Sequence, residues 1–132
     1  MHYVNKCMKP TLLALILCDA AVPGPQGKIN LYGIFDRIYS KDFPTRQPQF
    51  VIYWKCFFHE TGEVRITIYR PNGTALLYLD PVIVDKAPGI SQGVHSITGV
   101  EFPEPGEYTV RLIYRGMEEV GSTTVTLEKR QF

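Results

Sequence analysis

The chain has 132 residues, of which 45% are hydrophobic and 20% are charged, and its net charge is +1. This length predicts one domain over residues 1–132, in which residues 1–9 are a candidate N-terminal extension because Met8 is an alternative start to Met1. The apolar fraction excludes a disordered chain. Because no basic run exists, the electrostatic footprint of a nucleic-acid binder is also excluded.

The first predicted strand, Thr11–Ala20, contains an apolar run that also imitates an export signal. Two lysines precede the run Leu12–Cys18 and small residues follow it, as in secretory signals. The run is much shorter than the roughly 20 residues of a membrane span. A bulky leucine also precedes Cys18, where a signal peptidase needs a small side chain. We therefore interpret the run as a buried strand of a cytoplasmic protein. Export, with residues 1–21 as a signal-like segment, is the alternative.

Three further strands are predicted in the first half of the chain. Lys28–Tyr39 begins with alternating apolar residues and changes phase at Gly33, which indicates a β-bulge. Gln49–Phe58 is rich in aromatic residues, and Glu63–Arg70 alternates cleanly between apolar and polar residues.

The second half of the chain predicts four more strands. Pro81 interrupts the segment Thr74–Val84, which therefore needs an edge position or a bend. Gly93–Phe102, Glu107–Tyr114 and Gly121–Leu127 follow, each bounded by glycine or proline. Alternation of this kind is typical of antiparallel sheets with one buried face. We predict an all-β fold, an antiparallel two-sheet β-sandwich of about 7–8 strands with immunoglobulin-like architecture, and an open barrel as the alternative.

Two of these strands carry apolar side chains on both faces. Leu12–Cys18 and Phe50–Phe58 therefore need a cover on the outer face of their sheet. The N-terminal segment, the loop Ser40–Pro48 or a second subunit could supply it. The pattern predicts either a homodimer or another protein partner, with intramolecular cover as the alternative.

The cysteines do not form a recognisable framework. Cys7, Cys18 and Cys56 make an odd count without C-x-x-C spacing, so neither a disulfide framework nor a structural zinc site is predicted. Cys18 and Cys56 are interpreted as small buried residues of strands, with a Cys18–Cys56 disulfide as the alternative if the chain is exported.

No constellation of catalytic residues emerges from the sequence. A nucleophile elbow is missing, and His95 and Ser96 point to opposite faces of one strand, so they cannot form a dyad. His59, Glu60 and Glu63 are interpreted as a polar loop rather than as metal ligands. We predict no catalytic residue, no cofactor and no metal, and no enzymatic activity.

Aromatic residues are the most suggestive feature, with eight Tyr, seven Phe and one Trp. Rings exposed on a sheet face can stack on sugars, and Trp54 and Tyr69 are the candidates for a ligand or interface contact if they face outward. Core packing is the alternative role for these rings.

Several short motifs resemble those of a family of short bacterial β-sandwich proteins of unknown function, over about residues 10–128. The motifs are Pro10-Thr11-Leu12 with Leu17-Cys18-Asp19, Gly27-Lys28 with Tyr32-Gly33-Ile34-Phe35-Asp36, Phe43-Pro44, and Gly106-Glu107-Tyr108. The resemblance implies a β-sandwich and no established activity. The end of the chain also resembles the closing hairpin of immunoglobulin-like domains, although the Cys–Trp–Cys spacing of true immunoglobulin domains is missing.

These observations together predict a non-enzymatic protein-interaction or structural module that binds a protein partner or itself. A small carbohydrate-binding module that uses exposed aromatic residues is the alternative.

Overall fold

The computed structural model of the chain describes residues 8–131. Cys7 and residues 1–7 of the predicted N-terminal extension lie outside this range. The described residues form one turn of 3-10 helix at Pro25–Gly27 and ten strands. These are β1 (Thr11–Pro23), β2 (Ile29–Ile34), β3 (Arg37–Ser40), β4 (Thr45–Phe58), β5 (Gly62–Tyr69), β6 (Ala75–Tyr78), β7 (Val82–Val84), β8 (Gly89–Phe102), β9 (Gly106–Tyr114) and β10 (Glu118–Lys129).

The strands form two sheets that pack into a sandwich. Sheet A has the order β2-β1-β4-β8, and sheet B has the order β3-β10-β9-β5-β6 with β7 also paired to β5. The predicted all-β, two-sheet fold is therefore confirmed. The strands are more numerous than the seven or eight expected, and the pairing of β3 with β10 is parallel rather than antiparallel.

The predicted strand Lys28–Tyr39 is wrong as a single element. The chain leaves sheet A after β2 and enters sheet B at β3, crossing between them at Phe35 and Asp36. The N–H of Phe35 donates to the Leu17 carbonyl in sheet A, and the Asp36 carbonyl accepts from the N–H of Thr126 in sheet B. The phase change at Gly33 thus marks the approach to a sheet crossing, where Gly33 itself has a positive φ of 66°.

Alternating apolar residues fill the space between the sheets. Val64, Ile66 and Ile68 of β5 are buried, and so are the alternating residues Tyr108 through Tyr114 of β9. Burying one such large apolar side chain stabilises a fold by about 1.5–3 kcal/mol. The inward faces predicted for these two strands are confirmed.

The outer face of β4 is covered by the hairpin of β1 and β2. Val51 and Tyr53 point away from the core, yet they are only 2% and 8% exposed. The side-chain amide of Gln92 joins this face to the hairpin turn, because its Nε2 donates to the Gly27 carbonyl while its Oε1 accepts from Tyr53 Oη. The tip of the hairpin therefore lies over β4 and β8.

The residues of the hairpin differ in their exposure to solvent, as expected for a hairpin that lies over a sheet. Ala21, Ile29 and Leu31 are half-buried, whereas Val22 and Tyr32 are exposed. Ile29 of the first set borders a cleft between the hairpin and sheet A together with Tyr53 and Ile90, whereas Val22 and Tyr32 are open to solvent. The apolar outer face of Phe50–Phe58 thus has an intramolecular cover, but this cover is a hairpin that none of the predicted covers included.

A hydrogen-bonded corner fixes the start of β9. Tyr108 Oη donates to the Glu104 carbonyl (2.7 Å) and accepts from the Glu104 N–H (3.2 Å). Immunoglobulin-like sandwiches contain a tyrosine corner of this kind. The immunoglobulin-like architecture stays a prediction, and the corner supports it.

Candidate functional site

Trp54 does not face outward, so the condition for its proposed ligand contact is not met. Its side chain is 1% exposed and lies in the core between the sheets. The indole packs on Gly93, where a Cβ atom would come within 2.4 Å of the ring. Trp54 Nε1 donates to Nε2 of His95 at 2.9 Å. The ring therefore takes the core-packing role that was the alternative.

The Trp54–His95 hydrogen bond requires a neutral imidazole, because Nε2 must accept. Burial lowers the pKa of His95 below its usual value of 6.5. The unfolded chain therefore takes up the proton more readily than the folded one as the pH falls. We expect the stabilisation from this pair to be complete above about pH 6.5 and to decrease as the pH falls below that value towards the folded pKa. Urea unfolding of wild type and His95→Gln between pH 7.5 and 5 measures the difference. Parallel pH profiles for the two proteins would contradict this expectation.

Tyr69 lies on the outer face of sheet B and is half-buried. The guanidinium of Arg111 stands 4.6 Å from the centre of its ring, which is a cation–π contact. Tyr69 also lines a groove of about 290 Å³ together with Tyr78, which is exposed. One face of the Tyr69 ring is thus occupied by arginine, and Tyr78 presents the more open ring.

A second groove, of about 310 Å³, runs between the two sheets where β1 and β10 approach each other. Its apolar part comes from β1 and from the crossing segment, and its polar part comes from β10 and Asp36. We call it the edge groove, and its lining residues are Leu15, Ile16, Leu17, Ile34, Phe35, Asp36, Thr123 and Thr124.

Both strands that border the edge groove have an unpaired edge there. β1 pairs with β4 over Thr11–Cys18, and β2 occupies its other edge only over Cys18–Pro23. β10 pairs with β9 along its length, and β3 occupies its other edge only from Thr126 onward. Within residues 8–131, no strand pairs with the remaining parts of these two edges. Unpaired edges of this kind are templates for pairing with another chain.

The exposed face of the hairpin adjoins the edge groove through Ile34. This side chain lines the groove and is 64% exposed, and Tyr32 and Val22 follow along the same hairpin face. Large apolar side chains that share a surface in this way mark contact sites more often than isolated ones do. The groove and the hairpin face thus form one continuous candidate surface.

This surface is not accompanied by a cluster of metal-ligating side chains among the described residues. The described part of the chain contains no group of three or more His, Cys, Asp or Glu side chains that could hold a metal ion. Cys18 and Cys56 are buried and free, and burial raises the pKa of the Cys56 thiol to about 11. No helix among residues 8–131 is long and apolar enough to span a membrane.

Sequence reasoning did not identify the edge groove. The pattern Ser122-Thr123-Thr124 indicates a strand. It does not indicate which other strands pair with the two edges of this strand, or whether one edge stays unpaired. The excess of apolar residues in Leu12–Cys18 did point to this region. In the sequence this excess indicates a sheet face in need of a cover, because the pairing partners of a strand cannot be derived from alternation alone.

Comparisons with known proteins match the chain to one family and to solved structures of similar fold. Residues 13–127 match the family described as "Family of unknown function (DUF6941)". A sequence comparison with curated proteins gives no match. One similar solved structure is that of Pseudomonas fluorescens alkylpurine DNA glycosylase AlkC bound to DNA containing an abasic site analog. It has a TM-score of 0.52 and 13% sequence identity, and the alignment covers 86% of this chain and 30% of that chain. At this identity the likeness shows the fold alone.

Proposed function

The chain belongs to the DUF6941 family of unknown function, and from its own surfaces we propose that it is a non-enzymatic module that acts by binding another protein or a second copy of itself. The observation that carries the proposal is the continuous surface formed by the edge groove and the hairpin face. It combines exposed apolar side chains with unpaired strand edges, two features that favour contact between chains. Nucleic acid is not proposed as a partner, because the net charge is only +1.

A variant in the centre of this surface tests the proposal. Ile34→Asp places a charge at an exposed apolar position, so the fold is retained while any apolar contact there weakens by roughly tenfold or more. A photo-crosslinking amino acid at Tyr32 is expected to give an adduct of discrete mass in cells, and Ile34→Asp is expected to reduce it. Sedimentation velocity of the purified protein decides whether the partner is a second copy.

The matched control carries the same crosslinker at Tyr78. This residue is as exposed as Tyr32 but lies on the outer face of sheet B. An adduct at Tyr78 and none at Tyr32 would refute the proposed surface. A monomer without any adduct at Tyr32 would refute the interaction function.

Saccharide binding is the second candidate, and the groove beside Tyr69 and Tyr78 favours it. Two tyrosine rings, Thr67 and Glu63 border this groove, which gives stacking surfaces and hydrogen-bonding groups side by side. Affinity electrophoresis against a panel of polysaccharides is the test. Retardation that is lost in Tyr78→Ala supports saccharide binding, and unchanged mobility on every polysaccharide contradicts it.

The cytoplasm is the compartment that we propose for the protein. The two described cysteines, Cys18 and Cys56, are free, as is usual in a reducing compartment. The apolar run Leu12–Cys18 is part of β1, where Leu17 packs in the core. N-terminal sequencing of the cellular protein tests this point, since export through residues 1–21 would remove most of β1.

A further inference from the structure

We propose that the unpaired edge of β10 accepts an extended segment of a partner protein as an additional strand of sheet B. This inference rests on the proposed interaction function and specifies the chemistry of the partner. The partner segment is a strand with alternating apolar and polar residues, recognised mainly through its backbone.

The direction of the backbone groups of β10 follows from two hydrogen bonds. The N–H groups of Thr126 and Arg130 donate to the carbonyls of Asp36 and Ser40 on the β3 side, each at 2.9 Å. Alternate residues of a strand direct their backbone groups to the same edge. Ser122 and Thr124 therefore direct their N–H and C=O groups to this edge, beyond the end of β3.

The same edge already holds a strand over part of its length. β3 pairs with Thr126–Lys129, and the hydrogen bond from the Thr126 N–H to the Asp36 carbonyl lies at the end of this ladder nearest Thr124. An added segment in line with β3 would continue this existing ladder. Backbone pairing supplies affinity in strand addition, and the alternate side chains supply specificity.

The side chains around the edge indicate which residues the added strand needs. Thr123 and Val125 point toward sheet A, and Leu15 and Phe35 are half-buried beside them. Leu15, Phe35 and Thr123 line the edge groove beside this edge, so apolar side chains on one face of an added strand would pack on Leu15 and Phe35. The other face would lie beside Ser122 and Thr124 on the solvent side, which suits polar residues.

The edge of β1 is the weaker candidate for strand addition. A β-bulge interrupts its register between Leu12 and Ala14, and the carbonyl of Leu17 already accepts from Phe35. β10 is regular from Gly121 to Leu127 by comparison. The regular edge therefore offers the longer uninterrupted ladder.

Selection from a displayed library of random ten-residue peptides tests the proposal on the full chain. We expect selected peptides to alternate apolar and polar residues, and to slow amide hydrogen exchange at Ser122 and Thr124. Thr124→Pro removes an N–H that β9 does not use, and proline is tolerated on strand edges. We expect it to weaken binding by at least about tenfold. Thr124→Val keeps the N–H and removes only the side-chain hydroxyl, so we expect it to weaken binding by less than about threefold.

A second pair of variants keeps the test independent of the proline. Leu15→Lys is expected to weaken binding to the same peptides, and Leu13→Lys, at an exposed position of the same strand, is the matched control. The inference is overturned if no peptide is selected, or if selected peptides bind Thr124→Pro as tightly as wild type. If either result is found but the crosslinker at Tyr32 still gives an adduct, strand addition is refuted while the proposed interaction function is retained. Failure of this inference is therefore distinguishable from failure of the proposed function.

Discussion

Replacing Trp54 with alanine is expected to lower the free energy of unfolding by about 3–5 kcal/mol. The indole is one of the largest fully buried side chains, and it contacts Phe58 edge-on with the ring centres 6.0 Å apart. Its removal leaves a cavity over Gly93 and also deprives His95 of its hydrogen-bond donor. Domains of this size are stabilised by only about 5–15 kcal/mol, so the variant should unfold at a much lower urea concentration.

Equilibrium urea denaturation followed by circular dichroism measures this loss. Tyr32→Ala is the matched control, because it also removes an aromatic ring but from a side chain that is 55% exposed. We expect the control to change the free energy of unfolding by no more than about 0.5 kcal/mol. A loss below about 1 kcal/mol for Trp54→Ala would contradict the packing described above.

Tyr108→Phe is expected to cost about 1–3 kcal/mol, although it removes a single oxygen atom. The hydroxyl serves both the N–H and the carbonyl of Glu104, so its loss leaves two backbone groups of one corner without this partner. The side chain of Glu104 forms two contacts of 3.1 Å with the Arg70 guanidinium, and this pair joins the corner to the end of β5. The corner should therefore loosen along with the loss of stability.

Thermal denaturation and amide exchange measure the two effects of Tyr108→Phe separately. We expect faster exchange in the segment that links β8 and β9, together with the lower melting temperature. Tyr78→Phe removes the same atom from an exposed tyrosine and should leave both measurements unchanged. Equal melting temperatures for the two variants would show that the corner contributes nothing to stability.

The sequence contained enough information for the class of fold and for the inward faces of most strands. In Glu107–Tyr114 and Glu63–Arg70 the apolar residues alternate with a period of two, and this period alone decides which side chains lie between the sheets. The burial of Tyr108, Val110 and Leu112 follows directly from it. The local pattern is therefore sufficient to predict which side chains are buried wherever a strand has one face toward solvent and one face toward the core.

The candidate surface could not be predicted in the same way, because it depends on which strands become neighbours. The β1–β2 hairpin covers β4 only because its turn reaches Gln92, a residue 65 positions from Gly27 in the chain. The open edge of β10 exists because the chain crosses between sheets at Phe35 and Asp36 instead of continuing along β10. The spacing of residues within either segment does not indicate contacts between residues that are so far apart in the sequence.

The pairing of β3 with β10 also has a consequence for the order of folding during synthesis. Arg37 of β3 and Glu128 of β10 form an ion pair across 91 positions of the chain. The strands of sheet A are all made by Phe102, whereas β3 has no neighbour until the last strand has left the ribosome. Contacts between such distant residues form slowly, and unpaired edges are exposed in the meantime. All strands of sheet A are therefore available before β3 has its pairing partner, and we expect the unpaired edge of β3 to be a site for aggregation or chaperone binding in that interval.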